Sequence, residues 1–237
     1  FNDFTDAWEQ CKFSQYYKVS SGFAFKLEDY TEIGVPIVNG ESIQHGVVSS
    51  NNFNYLPDSF RTKYPQYVLN TDDIVLGLNR PVTNGELKIA KIPEKLDKSL
   101  LYQRAGKVEY IKTISKKFSF ILLDKEILNY TLKEAVGSDQ PFISTTKLAD
   151  WKMFVPSSND EMEKVGVFFN LLNNVIALHQ RQLNDYKKLK KSMMQKIFNQ
   201  EICFKDPDDN DYPRWDEKQL GELADIEKGT QINRDSL

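Results

Sequence analysis

Apolar residues recur along residues 158–199 in two interleaved series. One holds Val165, Leu172, His179, Tyr186 and Met193; the other holds Met162, Phe169, Ile176, Leu183, Lys190 and Ile197. The steps alternate between four and three, with only His179 and Lys190 polar, which is the period of a coiled coil. Ser158 followed by Glu161 has the spacing of a capping box. At 1.5 Å per residue such a helix spans roughly 60 Å, too long for one small domain to cover, so the pattern demands a partner helix. Its last third is basic, with Arg181, Lys187, Lys188, Lys190, Lys191 and Lys196 against Asp185. That charge suits a solvated face with cations at the C-terminal end of the helix dipole, or a surface facing phosphate or an acidic partner.

Residues 1–155 have a different texture, in which short β-prone runs are broken by turn signals. Val35-Pro36-Ile37-Val38 stops at Asn39-Gly40, Ile74-Val75-Leu76 precedes Gly77, and Leu87, Ile89 and Ile92 follow Asn84-Gly85. Asn-Gly pairs favour tight hairpins because both residues tolerate positive φ. Phe118–Leu123 is another apolar run, and a helix is predicted from Asp124 to about Val136, closing at Gly137. The expected class is α+β, a strand-rich globular domain over 1–155 followed by a long coiled-coil helix over 156–200.

Composition changes this picture in one respect. The net charge of −3 argues against nucleic acid. Residues 206–237, however, hold ten acidic and four basic side chains, a balance of −6, which leaves +3 on 1–205. No run reaches the ~18 apolar residues of a membrane span, and the start Phe1-Asn2-Asp3-Phe4 has no secretory pattern, so no membrane partner is expected. Phe1 in place of Met suggests a trimmed or internal piece. Cys11 and Cys203 stand far apart and the chain has two His, so no zinc site and no other cofactor is expected. The thiol usage suits a reducing, cytoplasmic compartment.

Residues 201–237 form an acidic, turn-prone linker and then repeat the start of the chain. Trp215-Asp216-Glu217-Lys218-Gln219-Leu220 with Gly229 echoes Trp8-Glu9-Gln10-Cys11-Lys12-Phe13 with Gly22. The chain thus reads as one complete unit plus the opening of a second, cut short at Leu237.

Further segments carry a family resemblance. These are Asp6-Ala7-Trp8-Glu9-Gln10 with Gly22, the run Leu78-Asn79-Arg80-Pro81-Val82-Thr83-Asn84-Gly85-Glu86-Leu87-Lys88-Ile89, and Gln103-Arg104. Gly137-Ser138-Asp139-Gln140-Pro141-Phe142-Ile143-Ser144 follows, then Phe168-Phe169 through Ile176-Ala177-Leu178-His179-Gln180-Arg181 to Leu189-Lys190-Lys191, and Leu220-Gly221-Glu222-Leu223-Ala224-Asp225-Ile226. In this order, and with the repeat, they resemble the specificity subunit of Type I restriction-modification systems over essentially the whole chain. The resemblance implies a DNA-reading target recognition domain at 1–155 and a spacer helix at 156–200, with the start of a second recognition domain at 201–237. It also implies partners: double-stranded DNA, methyltransferase subunits and restriction subunits, with catalysis left to those companions. Relatives carry two domains and two antiparallel helices. One of each here implies a homodimer whose helices pair through Val165, Phe169, Leu172, Ile176, His179, Leu183, Tyr186, Met193 and Ile197, reading a symmetric bipartite site.

Amide and guanidinium side chains on loops suit base edges, and Lys or Arg suits phosphates. Asn79, Arg80, Thr83 and Asn84 form the densest such loop; Lys88, Gln103, Arg104, Lys107 and Lys147 are further DNA-binding candidates. Asn39-Gly40-Glu41-Ser42 reads as a plain turn. Pro57-Asp58 with Glu86-Leu87-Lys88 formally matches a metal-nuclease PD…ExK pattern, the enzymatic alternative. A coiled-coil scaffold without a DNA role is the other. No G-x-x-x-x-G-K-[ST] loop, glycine-rich cofactor loop or Asn-Pro-Pro-Tyr-type methyltransferase motif is present.

Overall fold

A computed structural model describes residues 7–49, 53–134, 141–227 and 229. In chain order these form β1 (Glu9–Lys12), β2 (Tyr17–Ser21), β3 (Val35–Val38), β4 (Ile43–Gln44), β5 (Val47–Val48), β6 (Tyr55–Leu56) and α1 (Ser59–Lys63). There follow β7 (Ile74–Gly77), β8 (Val82–Thr83), β9 (Glu86–Leu87), β10 (Ile89–Lys91), β11 (Leu100–Leu101) and β12 (Ala105–Tyr110). The last elements are α2 (Lys116–Glu134), α3 (Thr145–Ala149), β13 (Lys152–Val155), α4 (Asn159–Phe198) and α5 (Leu220–Leu223). The fold is α+β. Contacts group the chain into two compact units, 1–173 and 174–237.

The first unit is organised by a four-stranded antiparallel sheet in the order β10-β7-β12-β2. Both of its faces are covered, and the two-residue period of a strand divides β7 between them. Ile74 and Leu76 enter one core with Ile89 and Val108, while Val75 enters another with Ala90 and Ala105. The first core is closed by α2, which buries Phe118, Ser119, Leu122, Leu123, Glu126, Ile127, Tyr130 and Thr131 on one face. A second sheet, β11-β3-β6, carries the only parallel pairing of named strands among the described residues, β11 with β3. An aromatic cluster of Phe23, Phe25, Phe60, Tyr64 and Tyr67 packs beside it.

Two local expectations need correction. The α2 helix starts at Lys116, ahead of Asp124, and so includes the apolar run Phe118–Leu123. Those residues are β-prone, but their pairing at helical spacing against the sheet overrides propensity. The expected end of this helix at Val136 and Gly137 lies outside the described residues. The second correction concerns the capping box. Glu161 N–H does donate to Ser158 Oγ, at 3.5 Å. The Glu161 carboxylate instead accepts the Trp8 indole N–H at 2.9 Å. Trp8 also stacks edge-on against Phe118, 6.1 Å between centroids. The first turns of α4 are thereby bound to the unit from which the helix starts. Met162 is buried in that core and Val165 packs against it. Ser115 Oγ and Lys117 Nζ both donate to Glu163, each at 2.7 Å, and hold its carboxyl below the usual range.

Asn84-Gly85 turns as expected. Val82 pairs Leu87 and Thr83 pairs Glu86, with φ of 54° at Asn84 and 83° at Gly85, the two left-handed positions a two-residue hairpin needs.

In the second unit α4 continues to Phe198, and its apolar positions are open. Ile176 is 65% exposed and Leu183 46%. Beyond it, Trp215 stacks edge-on against Phe198 at 5.5 Å, and its backbone N–H donates to Gln200 Oε1. The repeated Trp therefore packs by its ring in both of its copies. No helix among the described residues is long and apolar enough to cross a membrane.

Candidate nucleic-acid interface

The first unit carries an open groove of about 870 Å³. It is built where stretches distant in sequence meet, and the backbone explains how. After β7, Leu78 N–H donates to the Arg104 carbonyl at 3.0 Å, and Ile143 N–H donates to the Leu78 carbonyl at 2.9 Å. Asn79 forms an isolated antiparallel bridge with Phe142, and Arg80 N–H donates to the Pro141 carbonyl at 2.9 Å. Lys88 N–H donates to the Pro81 carbonyl at 2.7 Å. From the second sheet comes the turn after β3, in which Asn39 Oδ1 accepts from the Glu41 and Ser42 amides. Gly40 lies so close to the neighbouring chain that a Cβ there would sit 2.6 Å from the Arg104 carbonyl oxygen. No side chain fits at that position.

The groove brings together Asn79, Arg80, Lys88, Gln103 and Arg104, five of the nine candidates. Among the described residues, no carboxylate lies within ion-pair distance of Arg80, Lys88 or Arg104, and none of the three has a side-chain hydrogen bond. Three unneutralised cations facing one concavity mark a site for an anion. The opposing acid on its wall is Glu41.

The other four candidates lie elsewhere. Thr83 and Asn84 are exposed at the β8–β9 hairpin and do not line the groove. Lys107 is engaged by Asp73, Nζ to Oδ2 at 2.6 Å, with both side chains about four-fifths covered. Lys147 is exposed on α3, which is capped by Ser144, whose Oγ accepts the Lys147 amide at 3.4 Å.

The structure adds groove residues that the sequence did not single out: Tyr30, Asn54, Tyr102 and Phe142, and Asn39 and Glu41 from a segment read as a plain turn. Burial raises the Tyr30 phenol above its ordinary value, with Tyr102 beside it contributing. The pattern that could have found them is amide and aromatic residues at strand ends. It is too common to be selective without knowledge of the β11-β3 pairing.

Of the formal nuclease pattern, Asp58 accepts from Arg61 Nη1 at 2.6 Å, and among the described residues no three His, Cys, Asp or Glu side chains gather as metal ligands would.

Comparison with known proteins agrees with the fold and the resemblance. A family profile described as Type I restriction modification DNA specificity domain matches residues 6–188. The Type I restriction enzyme MjaVIII specificity subunit of Methanocaldococcus jannaschii is 31% identical over 200 residues, 84% of this chain and 47% of that protein. The Type I restriction enzyme EcoAI specificity subunit of Escherichia coli is 31% identical over 144 residues, 60% of this chain and 24% of its own length. The crystal structure of the S subunit from M. genitalium matches with a TM-score of 0.55 at 14% identity, covering 81% of this chain and 46% of that one. The HsdS subunit from Thermoanaerobacter tengcongensis gives 0.54 at 13%, covering 84% and 47%. These structures establish a shared fold. This chain spans about half the length of the MjaVIII relative and of both solved structures, and about a quarter of the EcoAI subunit. With the profile matched over most of its residues, the chain belongs to the Type I restriction-modification DNA specificity domain family.

Proposed function

We propose that this chain is a sequence-specific DNA-recognition unit of a Type I restriction-modification complex, non-catalytic itself, that guides methyltransferase and restriction subunits in the cytoplasm. The observation that carries this reading is the groove, where the amides of Asn79 and Gln103 converge with Arg80, Lys88 and Arg104, three cations without an acidic partner among the described residues. Residues 1–155 serve as the target recognition domain, 156–200 as the spacer helix, and 201–237 as linker and the start of a second recognition domain.

Two copies pair through antiparallel α4 helices, so that two identical grooves read inverted half-sites at a fixed separation. Charge supports that orientation. Acidic Asp160 and Glu161 begin α4 and Lys196 lies in its last turn, so only an antiparallel pair sets basic ends over acidic ones.

Binding of a labelled duplex pool by the full chain, titrated from 50 to 200 mM salt, tests the reading against that of a scaffold. Two phosphate contacts at each of two grooves give a log–log salt slope near −3.6, taking about −0.9 per contact. A preference for a subset of sequences should survive excess competitor DNA. Salt-independent binding, or none at the lowest salt, leaves only the scaffold.

A further inference from the structure

We propose that Arg80 reads a base, presenting its guanidinium to the O6 and N7 of a guanine in the half-site, whereas Lys88 meets a phosphate. This rests on the DNA-recognition reading above and assigns a chemistry within it.

The backbone around Arg80 is fastened on every side. Leu78 is held by both its amide and its carbonyl, to Arg104 and Ile143. The Arg80 amide is held by Pro141, and the carbonyl of buried Pro81 by the Lys88 amide. Pro81 fixes its own φ and donates no hydrogen bond, so it removes the freedom that would otherwise follow Arg80. Within this frame Arg80 adopts φ of 45°. That left-handed conformation is unfavourable for a residue with a Cβ, and persists where surrounding contacts over-determine it. The frame does not exist to form an ion pair, because the guanidinium has no carboxylate partner among the described residues. Its side chain is exposed and lines the groove.

A phosphate contact needs no such pedestal, since a flexible ammonium finds a phosphate from many geometries. Reading a base edge does need it, because the fork must arrive in one orientation, and a fixed backbone leaves only the side chain's own rotations to be ordered on binding. Guanine is the base that offers two adjacent acceptors in the major groove; adenine sets a donor beside N7 and would oppose a guanidinium. Lys88 shares the groove but is a point charge without a fork, held through its stem, whose Cβ and Cδ lie against Gly77.

The test starts from a half-site selected by the full chain out of random duplexes, in which each guanine is then replaced by 7-deazaguanine, which lacks the N7 acceptor. At one guanine, wild-type affinity should fall about tenfold. Arg80→Lys keeps the charge and loses the fork, and Arg80→Gly relieves the left-handed backbone so that folding is spared. Both should bind the guanine and 7-deazaguanine duplexes equally. A selected site without guanine, indifference of the wild type to every replacement, or full guanine preference in Arg80→Lys overturns the assignment. Failure to select any sequence overturns the DNA-recognition reading itself, and the assignment with it.

Discussion

Replacing Lys88 and Arg104 together by Gln is expected to lower DNA affinity by a factor on the order of 10² to 10³ near 0.15 M salt, while leaving the fold intact. Each phosphate contact releases about 0.9 of a counterion, so each lost contact costs roughly fivefold at that salt, and a two-groove dimer loses four. The salt dependence is the sharper readout, since the log–log slope should fall by about 3.6. Stability should hardly change, because neither side chain has a carboxylate partner to abandon among the described residues. Replacements of this kind stay within about 0.5 kcal/mol. Lys107→Gln provides the contrast. It removes the partner of Asp73 from a mostly covered ion pair. It should therefore lower the thermal midpoint while leaving the salt slope of DNA binding unchanged. Titration by anisotropy at four salt concentrations, with a thermal melt of each variant, measures both. An unchanged slope in the double variant would place the phosphates elsewhere.

Ile176→Lys is expected to convert a dimer into a monomer at micromolar concentration. Ile176 and Leu183 flank the centre of the heptad series and are 65% and 46% exposed, a pattern that makes sense on a helix waiting for a second one. In an antiparallel pair this substitution places two lysines, one from each copy, at the middle of the seam. Burying an unpaired ammonium costs several kcal/mol, and the cost is incurred twice. Ile176→Leu preserves volume and apolarity and should remain dimeric. The proposed seam starts at Phe169, because Met162 is buried in the first unit and Val165 packs there. His179, at the centre of the series, contacts Gln182 at 3.2 Å. One polar seam residue of this kind tends to fix register at some expense of stability. Sedimentation or light scattering of the three proteins reads the result. A dimeric Ile176→Lys would mean that α4 is not the interface.

The parts of the fold legible in the sequence are those decided locally. The α4 helix follows from apolar spacing, and the β8–β9 hairpin from Asn84-Gly85, because each depends on a few neighbouring residues. The start of α2 was not, because Phe118–Leu123 suits a strand as well as a helix and only the sheet beneath it decides. The groove was half legible. Asn79, Arg80, Lys88, Gln103 and Arg104 stand out by residue type, and pairing of β7 with β10 and β12 brings their segments together. Tyr30, Asn39 and Asn54 arrive through the second sheet, and Phe142 through its bridge to Asn79. None of those pairings has a signal in the local sequence. Lys107 shows the converse case. As an isolated lysine it resembles a phosphate contact, and nothing nearby in sequence announces that Asp73 will meet it across the β7–β12 ladder.

The measurement that tests the central claim most directly is selection by the full chain from a pool of random duplexes, followed by sequencing of the bound fraction. Two identical grooves on antiparallel helices predict one enriched motif made of two inverted copies of the same half-site, separated by a fixed number of unspecified base pairs. Ile176→Lys should enrich the single half-site alone. Two unrelated half-sites, a continuous motif, or no enrichment would contradict the account.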